Sequence, residues 1–239
     1  MMAVAEQLLL RLQPRADARL GDFAAASHAL LLSALDELLR QDFALLFVHG
    51  EPGSGRSHLL AALCTEAEAL GLSAVLLPLT GLRDEDPAML EGLEAQSLIA
   101  IDDLDAVAGR PDWEEALFHL FNRARSTGSR LVFTARQAPA HAGFGLPDLV
   151  SRLCMAPLWE LDLPDDAGRE ALLQAAAQRR SLMLEPELLR YLVQRGPRGS
   201  GRLLALLELL DRQSLVAGRR LTIPFMRSVL EEKGQTETS

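Results

Sequence analysis

Phe43-Ala44-Leu45-Leu46-Phe47-Val48-His49-Gly50-Glu51-Pro52-Gly53-Ser54-Gly55-Arg56-Ser57-His58-Leu59-Leu60 is the stretch that decides the fold of this chain. An apolar run of strand length ends at Gly50. A loop of the form G-x-x-x-x-G-[K/R]-S follows and opens into a helix-like stretch from Ser57 to Leu70. Glycines in such a loop let consecutive backbone N–H groups turn inward around a phosphate, with the N-terminus of the next helix behind them. The strand before and the helix after distinguish a P-loop from a chance glycine cluster. Gly50, Gly53, Ser54, Gly55, Arg56, Ser57 and His58 are therefore the candidate nucleotide-binding residues, with Ser57 also placed to hold Mg2+. The basic position is Arg56, where the usual loop has Lys. Arginine keeps the charge, but its planar fork is bulkier than an ammonium, so the loop predicts nucleotide binding without implying rapid hydrolysis.

Outward from the loop, strand-like and helix-like stretches alternate. A helix is expected over Ala24–Arg40, where Leu31, Leu35, Leu38 and Leu39 recur at helical spacing. Further strands are expected over Ser73–Leu79, ended by Pro78 and a turn at Thr80-Gly81, then over Ser97–Ile101, Arg130–Thr134 and Leu158–Leu163. A helix over Trp113–Arg125, closed by Gly128, separates two of them, and Trp113, Phe118 and Phe121 read as its core face. This alternation predicts an α/β base: a parallel sheet with helices on both faces. After Pro164 the pattern changes to helices alone, over residues 165–180, 185–195, 201–217 and 223–233. The expected organisation is a leader over residues 1–20, the base over 21–163 and a small all-α lid over 164–239.

The 239 residues leave room for a substantial core. Apolar residues at 49% and charged residues at 24% fit a soluble globular protein. The two cysteines, Cys64 and Cys154, lie far apart and form neither a metal-ligand spacing nor a disulfide framework, which points to the reducing cytoplasm. The first residues lack a basic signal-peptide region, and the apolar runs are far too short to cross a membrane. A net charge of −9 without a basic stripe argues against strong direct DNA binding and for a protein partner. His49 and His58 have no ligand partner at metal-site spacing and read as structural.

Leu98-Ile99-Ala100-Ile101-Asp102-Asp103 is an apolar strand ending in acids, as in a Walker B segment. A carboxylate at the end of a buried strand next to the P-loop strand can hold the Mg2+ that bridges nucleotide phosphates. Asp102 is the metal-side candidate and Asp103 the one placed to orient water; an acidic turn after any parallel strand is the plainer reading. Pro147-Asp148-Leu149-Val150-Ser151-Arg152-Leu153 puts an arginine in a short apolar helix. In ring-forming NTPases an arginine in this place reaches the neighbouring subunit's nucleotide, although by itself Arg152 reads as an ordinary surface or capping residue. Arg202 stands in the first turn of an otherwise apolar helix, where a cation opposes the helix dipole. Reaching a bound phosphate is one reason for it to be there, and solvation at a helix end is the other. In the leader, Gln7, Leu8, Leu10 and Leu12 have the pattern of an extended docking peptide, or of the start of an amphipathic helix.

Taken in order, these segments resemble the AAA+ family and, within it, the small clamp-associated homologues of the initiator DnaA. The likeness runs over nearly the whole chain. It rests on the Gln7–Leu12 peptide, Gly55-Arg56-Ser57-His58-Leu59, Ile101–Gly109, Trp113-Glu114 with Ala116-Leu117-Phe118 and Asn122-Arg123, Leu146–Leu149, Ser151–Leu153 and Arg219–Phe225. The resemblance implies a negative regulator of chromosomal replication initiation. Such a regulator docks on the DNA-loaded DNA polymerase sliding clamp and stimulates hydrolysis of ATP bound to DnaA, leaving inactive ADP-initiator. It further implies that Arg152 is an arginine finger acting in trans, Arg202 a sensor 2 arginine, and Gln7, Leu8, Leu10 and Leu12 the clamp-binding peptide. The initiator itself continues into a C-terminal helix-turn-helix domain, whereas this sequence ends after the lid. Whether the chain forms a homodimer or larger oligomer is left open.

Two departures qualify the implied chemistry. Thr134-Ala135-Arg136 offers only Thr134 as a polar sensor after the fourth strand, and Arg56 replaces Lys. Together they favour a bound ADP (or ATP) held as a switch, with no intrinsic turnover. The alternative is an autonomous DnaA-like or helicase-loader-like ATPase that hydrolyses its own ATP, which the paired Asp102-Asp103 keeps open.

Overall fold

The computed structural model describes residues 19–23 and 28–236. The leader peptide Gln7–Leu12 and residues 24–27 of the expected first helix lie outside the described residues. The chain divides into two compact units that meet at Asp162 and Leu163. Among the described residues, no helix is long and apolar enough to cross a membrane.

The first unit is built on a five-stranded sheet, β1 (Leu45–His49), β2 (Ala74–Pro78), β3 (Leu98–Asp102), β4 (Arg130–Ala135) and β5 (Leu158–Glu160), with strand order β2-β3-β4-β1-β5. Every pairing is parallel. Each crossover carries helical segments, α1 (Ala29–Arg40) preceding β1, α2 (Arg56–Ala69) following it, α4 (Pro111–Thr127) between β3 and β4, and α5 (Pro147–Leu153) before β5. The label α3 is given to the single turn Leu79–Leu82. The sequence reading has a simple turn at that point and extends the preceding strand to Leu79, whereas the strand stops at Pro78, whose ring cannot donate to a ladder.

The side-chain alternation of a strand explains why the sheet is covered on both faces. Along β3, Ile99 and Ile101 enter one core with Trp113, Leu117, Leu120 and Phe121 of α4. Leu98 and Ala100 point to the opposite core, with Leu31, Leu35 and Leu38 of α1 and Leu59, Leu60 and Leu63 of α2. All five residues of β3 are buried, as expected for a central parallel strand with apolar cover on each side. Phe118, expected in the core, is only half-buried at its margin. Helix α4 ends at Gly128, which takes the left-handed conformation (φ 83°) that a β-carbon disfavours.

One sequence expectation about the sheet is overturned. Asp102 was expected on a strand next to the P-loop strand, but β4 lies between β3 and β1. The apolar pattern of a buried strand marks its burial and leaves its neighbour unspecified, so adjacency was not readable. The consequence is chemical, because β4 brings Thr134 between the loop and the acids.

The second unit is helical: α6 (Asp166–Arg179), α7 (Pro186–Arg195), α8 (Ser200–Ala217) and α9 (Ile223–Thr236). Asp165 caps α6, its carboxylate accepting from the Gly168 N–H at 2.7 Å, a cap contributing about 1 kcal/mol. Leucines of three helices, including Leu173, Leu192, Leu203 and Leu207, fill the core of this unit with Phe225, Met226 and Val229 of α9. Arg169 is 3% exposed and donates to the carbonyls of Leu192 (3.2 Å) and Gly196 (3.1 Å), closing the C-terminus of α7 with a cation where the helix dipole favours one.

Candidate functional site

The loop after β1 is shaped by what its neighbours leave room for. A β-carbon at Gly50 would lie 2.2 Å from the backbone oxygen of Leu161, so the exit of β5 excludes any side chain there. Gly53 (φ 96°) and Gly55 (φ 110°) take left-handed conformations, and Gly55 immediately precedes α2. The first N–H groups of α2 have no partner within the helix and form the wall of the cradle. Ser54 is 3% exposed, and its hydroxyl is buried without a hydrogen-bond partner. A buried hydroxyl beside a helix N-terminus forms a donor set that suits an anion, and these residues fit a nucleotide phosphate.

Facing the loop from β3, Asp102 is almost fully buried. The Thr134 hydroxyl donates to its Oδ1 at 2.5 Å, and the Ser57 hydroxyl is hydrogen-bonded to it as well. Burial pushes the Asp102 carboxyl up from its ordinary value, with the Asp103 charge adding to the rise. The Ser57 and Thr134 hydroxyls and the Arg56 charge oppose it. Ser57 and Asp102 thus stand together as a hydroxyl and a carboxylate of the kind that holds Mg2+ beside a phosphate.

Asp103 takes a left-handed backbone conformation (φ 50°), and its N–H donates to Thr134 Oγ1 at 3.1 Å. Its carboxylate is engaged twice: Arg56 Nη2 donates to Oδ1 at 2.8 Å and Thr80 Oγ1 donates to Oδ2 at 3.0 Å. Arg56 is buried, and its Nη1 donates to the Gly50 carbonyl. The residue expected to meet phosphate and the residue expected to orient water are therefore paired with each other. Beyond β4, Arg136 pairs with Asp105, Nε to Oδ2 at 3.6 Å.

The remaining sequence candidates lie on three different helices. His58 sits half-buried in the first turn of α2. Arg152 is half-buried in the last turn of α5, with its guanidinium 6.0 Å from the Phe121 ring centroid and Nη1 4.0 Å from Met155 Sδ. Arg202 is exposed in the first turn of α8, in the helical unit. Thr80, read only as part of a turn, and Glu114, read only as part of a family motif, were not among the site residues expected from the sequence. A lone threonine after a strand has no signature. Glu114 stands among the polar residues that open α4, and its burial (1% exposed) and the backbone N–H groups that reach its carboxylate arise only in the fold.

With this geometry in view, comparison with known proteins is informative. Residues 23–155 match the bacterial DnaA ATPase domain, and residues 166–230 match the Hda lid domain. An uncharacterised protein of Haemophilus influenzae is 37% identical over 229 residues, covering 94% of this chain and 98% of its own length. Domain III of the Thermotoga maritima replication initiation protein DnaA superposes with a TM-score of 0.75 at 20% identity, over 90% of this chain and 96% of that one. AMPPCP-bound DnaA from Aquifex aeolicus gives a TM-score of 0.64 at 19% identity, over 90% of this chain and 67% of that one. The structural likenesses speak to the fold, and the sequence matches cover both units. The chain belongs to the Hda/DnaA-like AAA+ family, a DnaA-related family of replication-initiation regulators.

Proposed function

We propose that this protein is a clamp-tethered, nucleotide-holding regulator that stimulates hydrolysis of ATP bound to the initiator DnaA and thereby restrains re-initiation. The observation that carries this reading is the Arg56–Asp103 ion pair. It commits the P-loop cation and the water-side acid to each other, an arrangement suited to holding a nucleotide more than to turning one over. In support, the relative from Aquifex aeolicus with this fold was solved with AMPPCP, a nucleotide analogue.

Gly53, Ser54, Gly55, Ser57 and the first N–H groups of α2 would hold the phosphates of ADP (or ATP), with Asp102 and Ser57 holding Mg2+. The bound nucleotide supplies charge that fixes these elements. Gln7, Leu8, Leu10 and Leu12 tether the chain to the sliding clamp, which concentrates it at DNA where the initiator works. Arg152 acts on the initiator's ATP. A guanidinium positioned against the transferring phosphoryl group stabilises charge that develops only in the transition state, and such fingers supply rate factors of about 10³ or more.

The test is single-turnover hydrolysis of initiator-bound ATP on clamp-loaded DNA, with wild type and Arg152→Ala. The variant is expected to keep clamp and nucleotide binding and to lose most of the stimulated rate. Stimulation by Arg152→Ala equal to wild type refutes the proposal. Robust ATP hydrolysis by the chain alone would instead favour the autonomous ATPase, for which the paired Asp102 and Asp103 are the relevant feature.

A further inference from the structure

Glu114 is a buried carboxylate at the start of α4, and it is held by backbone N–H groups. Gly109 donates to Oε1 at 2.7 Å, Gly145 to Oε2 at 2.9 Å and Leu146 to Oε2 at 2.6 Å. Hydrogen bonds to an ionised acceptor are roughly twice as strong as neutral ones, so this cluster fixes the backbone that it touches. Residues 110–144, which include α4 and β4, separate the two segments it joins. Gly109 closes the loop that leaves Asp102 and Asp103, through the short turn Leu104–Val107. Gly145 and Leu146 lead directly into α5, with Leu146 its N-cap and Pro147 its first residue.

The far end of α5 rests on the same helix. Phe121 lies two turns beyond Glu114 on α4, and Arg152 sits over its ring. Leu149 and Leu153 of α5 are buried in the core that α4 shares. Helix α4 therefore grips α5 at its start through Glu114 and near its end through Phe121.

We infer that Glu114 is a positioning residue for Arg152, setting where α5 begins and tying it to the loop that follows the acidic end of β3. The inference rests on the reading of Arg152 as a finger. A finger works only if its guanidinium meets the phosphoryl group in the right geometry, and a displacement of about 1 Å can cost on the order of 100-fold in rate. Replacing the carboxylate by an amide leaves one acceptor oxygen and turns an NH2 group towards backbone donors. At least one of the three N–H groups then loses its partner, and the entry to α5 is free to shift.

The experiment measures stimulated hydrolysis of initiator-bound ATP as a function of regulator concentration, for wild type, Glu114→Gln and Arg152→Ala. Rates are normalised to the folded fraction. Glu114→Gln is expected to lower the saturating rate by about tenfold or more, with the half-maximal concentration and ADP affinity within about twofold of wild type. A residue that merely supports the fold would leave the normalised saturating rate unchanged, and that result overturns the inference. A raised half-maximal concentration at an unchanged saturating rate overturns it as well. Should the Gln variant fail to fold, Glu114→Asp keeps the charge on a shorter stem; a wild-type saturating rate there also overturns the inference. Arg152→Ala separates the two levels. If it stimulates normally, the finger reading fails, whereas an inactive Arg152→Ala beside a fully active Glu114 variant refutes only the positioning role.

Discussion

The ion pair between Arg56 and Asp103 gives a prediction whose size follows from its surroundings. Arg56 is 7% exposed and the Asp103 side chain 30% exposed, so the pair is shielded on one side and open on the other. Asp103→Asn removes the charge while keeping a residue that tolerates the left-handed backbone at this position. Hydrogen bonds to charged groups contribute about 1.5–3 kcal/mol, and a fully buried ion pair that loses one partner costs about 3–5 kcal/mol. Partial exposure of Asp103 places this case near the lower range, at about 2 kcal/mol. Both tryptophans, Trp113 and Trp159, lie in the first unit, so fluorescence during urea unfolding follows that unit alone. With a slope of about 2 kcal/mol per molar urea, the midpoint should fall by about 1 M. Arg56→Met and the double variant complete a cycle, because in the absence of the guanidinium Asp103→Asn should cost far less. A coupling energy of about 1–2 kcal/mol is expected for neighbours of this kind. A coupling below about 0.5 kcal/mol, the limit within which independent sites add, would mean that the two side chains do not hold each other. The argument for a self-engaged site would then fail.

Two further outcomes follow from the base unit. Burial pushes the Glu94 carboxyl up, but the N–H groups of Glu94 and Gly92 and the Arg123 guanidinium (Nε to Oε2 at 3.0 Å) outweigh it and hold the group below 4.5. The unfolded chain then takes up the proton first, so this stabilisation is present above pH 4.5 and is lost as pH falls through the lower folded value; Glu94→Gln should cost about 1 kcal/mol at pH 7, with the difference closing in acid, and a pH-independent difference by urea unfolding counts against the pair. Gly50→Ala places a β-carbon 2.2 Å from the Leu161 oxygen, a backbone atom that cannot swing away; a loss of about 2 kcal/mol or more is expected from the forced shift, and an unchanged midpoint would show that the β5 exit yields freely.

The base was legible in the sequence because its signals are local. An apolar run, a glycine loop and an apolar helix face need only their own residues to be recognised, and so β1, α2, β3 and α4 stand where the pattern puts them. Strand order depends on which partner each strand selects, and the run Leu98–Ile101 says nothing of that. For the same reason the pairing of Arg56 with Asp103 was hidden, since 47 positions separate the two in the chain. Thr134 was found as a polar residue at a strand end, yet its use of both hydroxyl functions follows from β4 lying between β3 and β1. Glu114 shows the limit of composition most plainly: an acidic residue in the first turn of a helix is ordinary, and only the return of Gly145 and Leu146 to its carboxylate makes it special.

The energetic contrast between the two arginines bears on where the chemistry is done. A threonine hydroxyl has one hydrogen, and Thr134 gives it to Asp102 while accepting from the Asp103 N–H, so it has no donor left for a water or phosphate. Arg56 is committed to the Gly50 carbonyl and to Asp103, and Asp103 is also committed to Thr80. To bring Arg56 and Asp103 to bear on a nucleotide in this chain's own loop, at least one charge-assisted contact of about 1.5–3 kcal/mol would have to be exchanged. Arg152 is held more lightly. It meets a thioether at 4.0 Å and an aromatic face at 6.0 Å, the second contributing about 0.5–1 kcal/mol at a partly exposed site. A guanidinium stowed on such contacts leaves them at little cost when a triphosphate in another protein offers bidentate acceptors. The P-loop arginine is thus costly to redeploy and the α5 arginine is not, an order that suits an activator acting in trans, whereas an ATPase working on its own nucleotide needs its P-loop cation released as well.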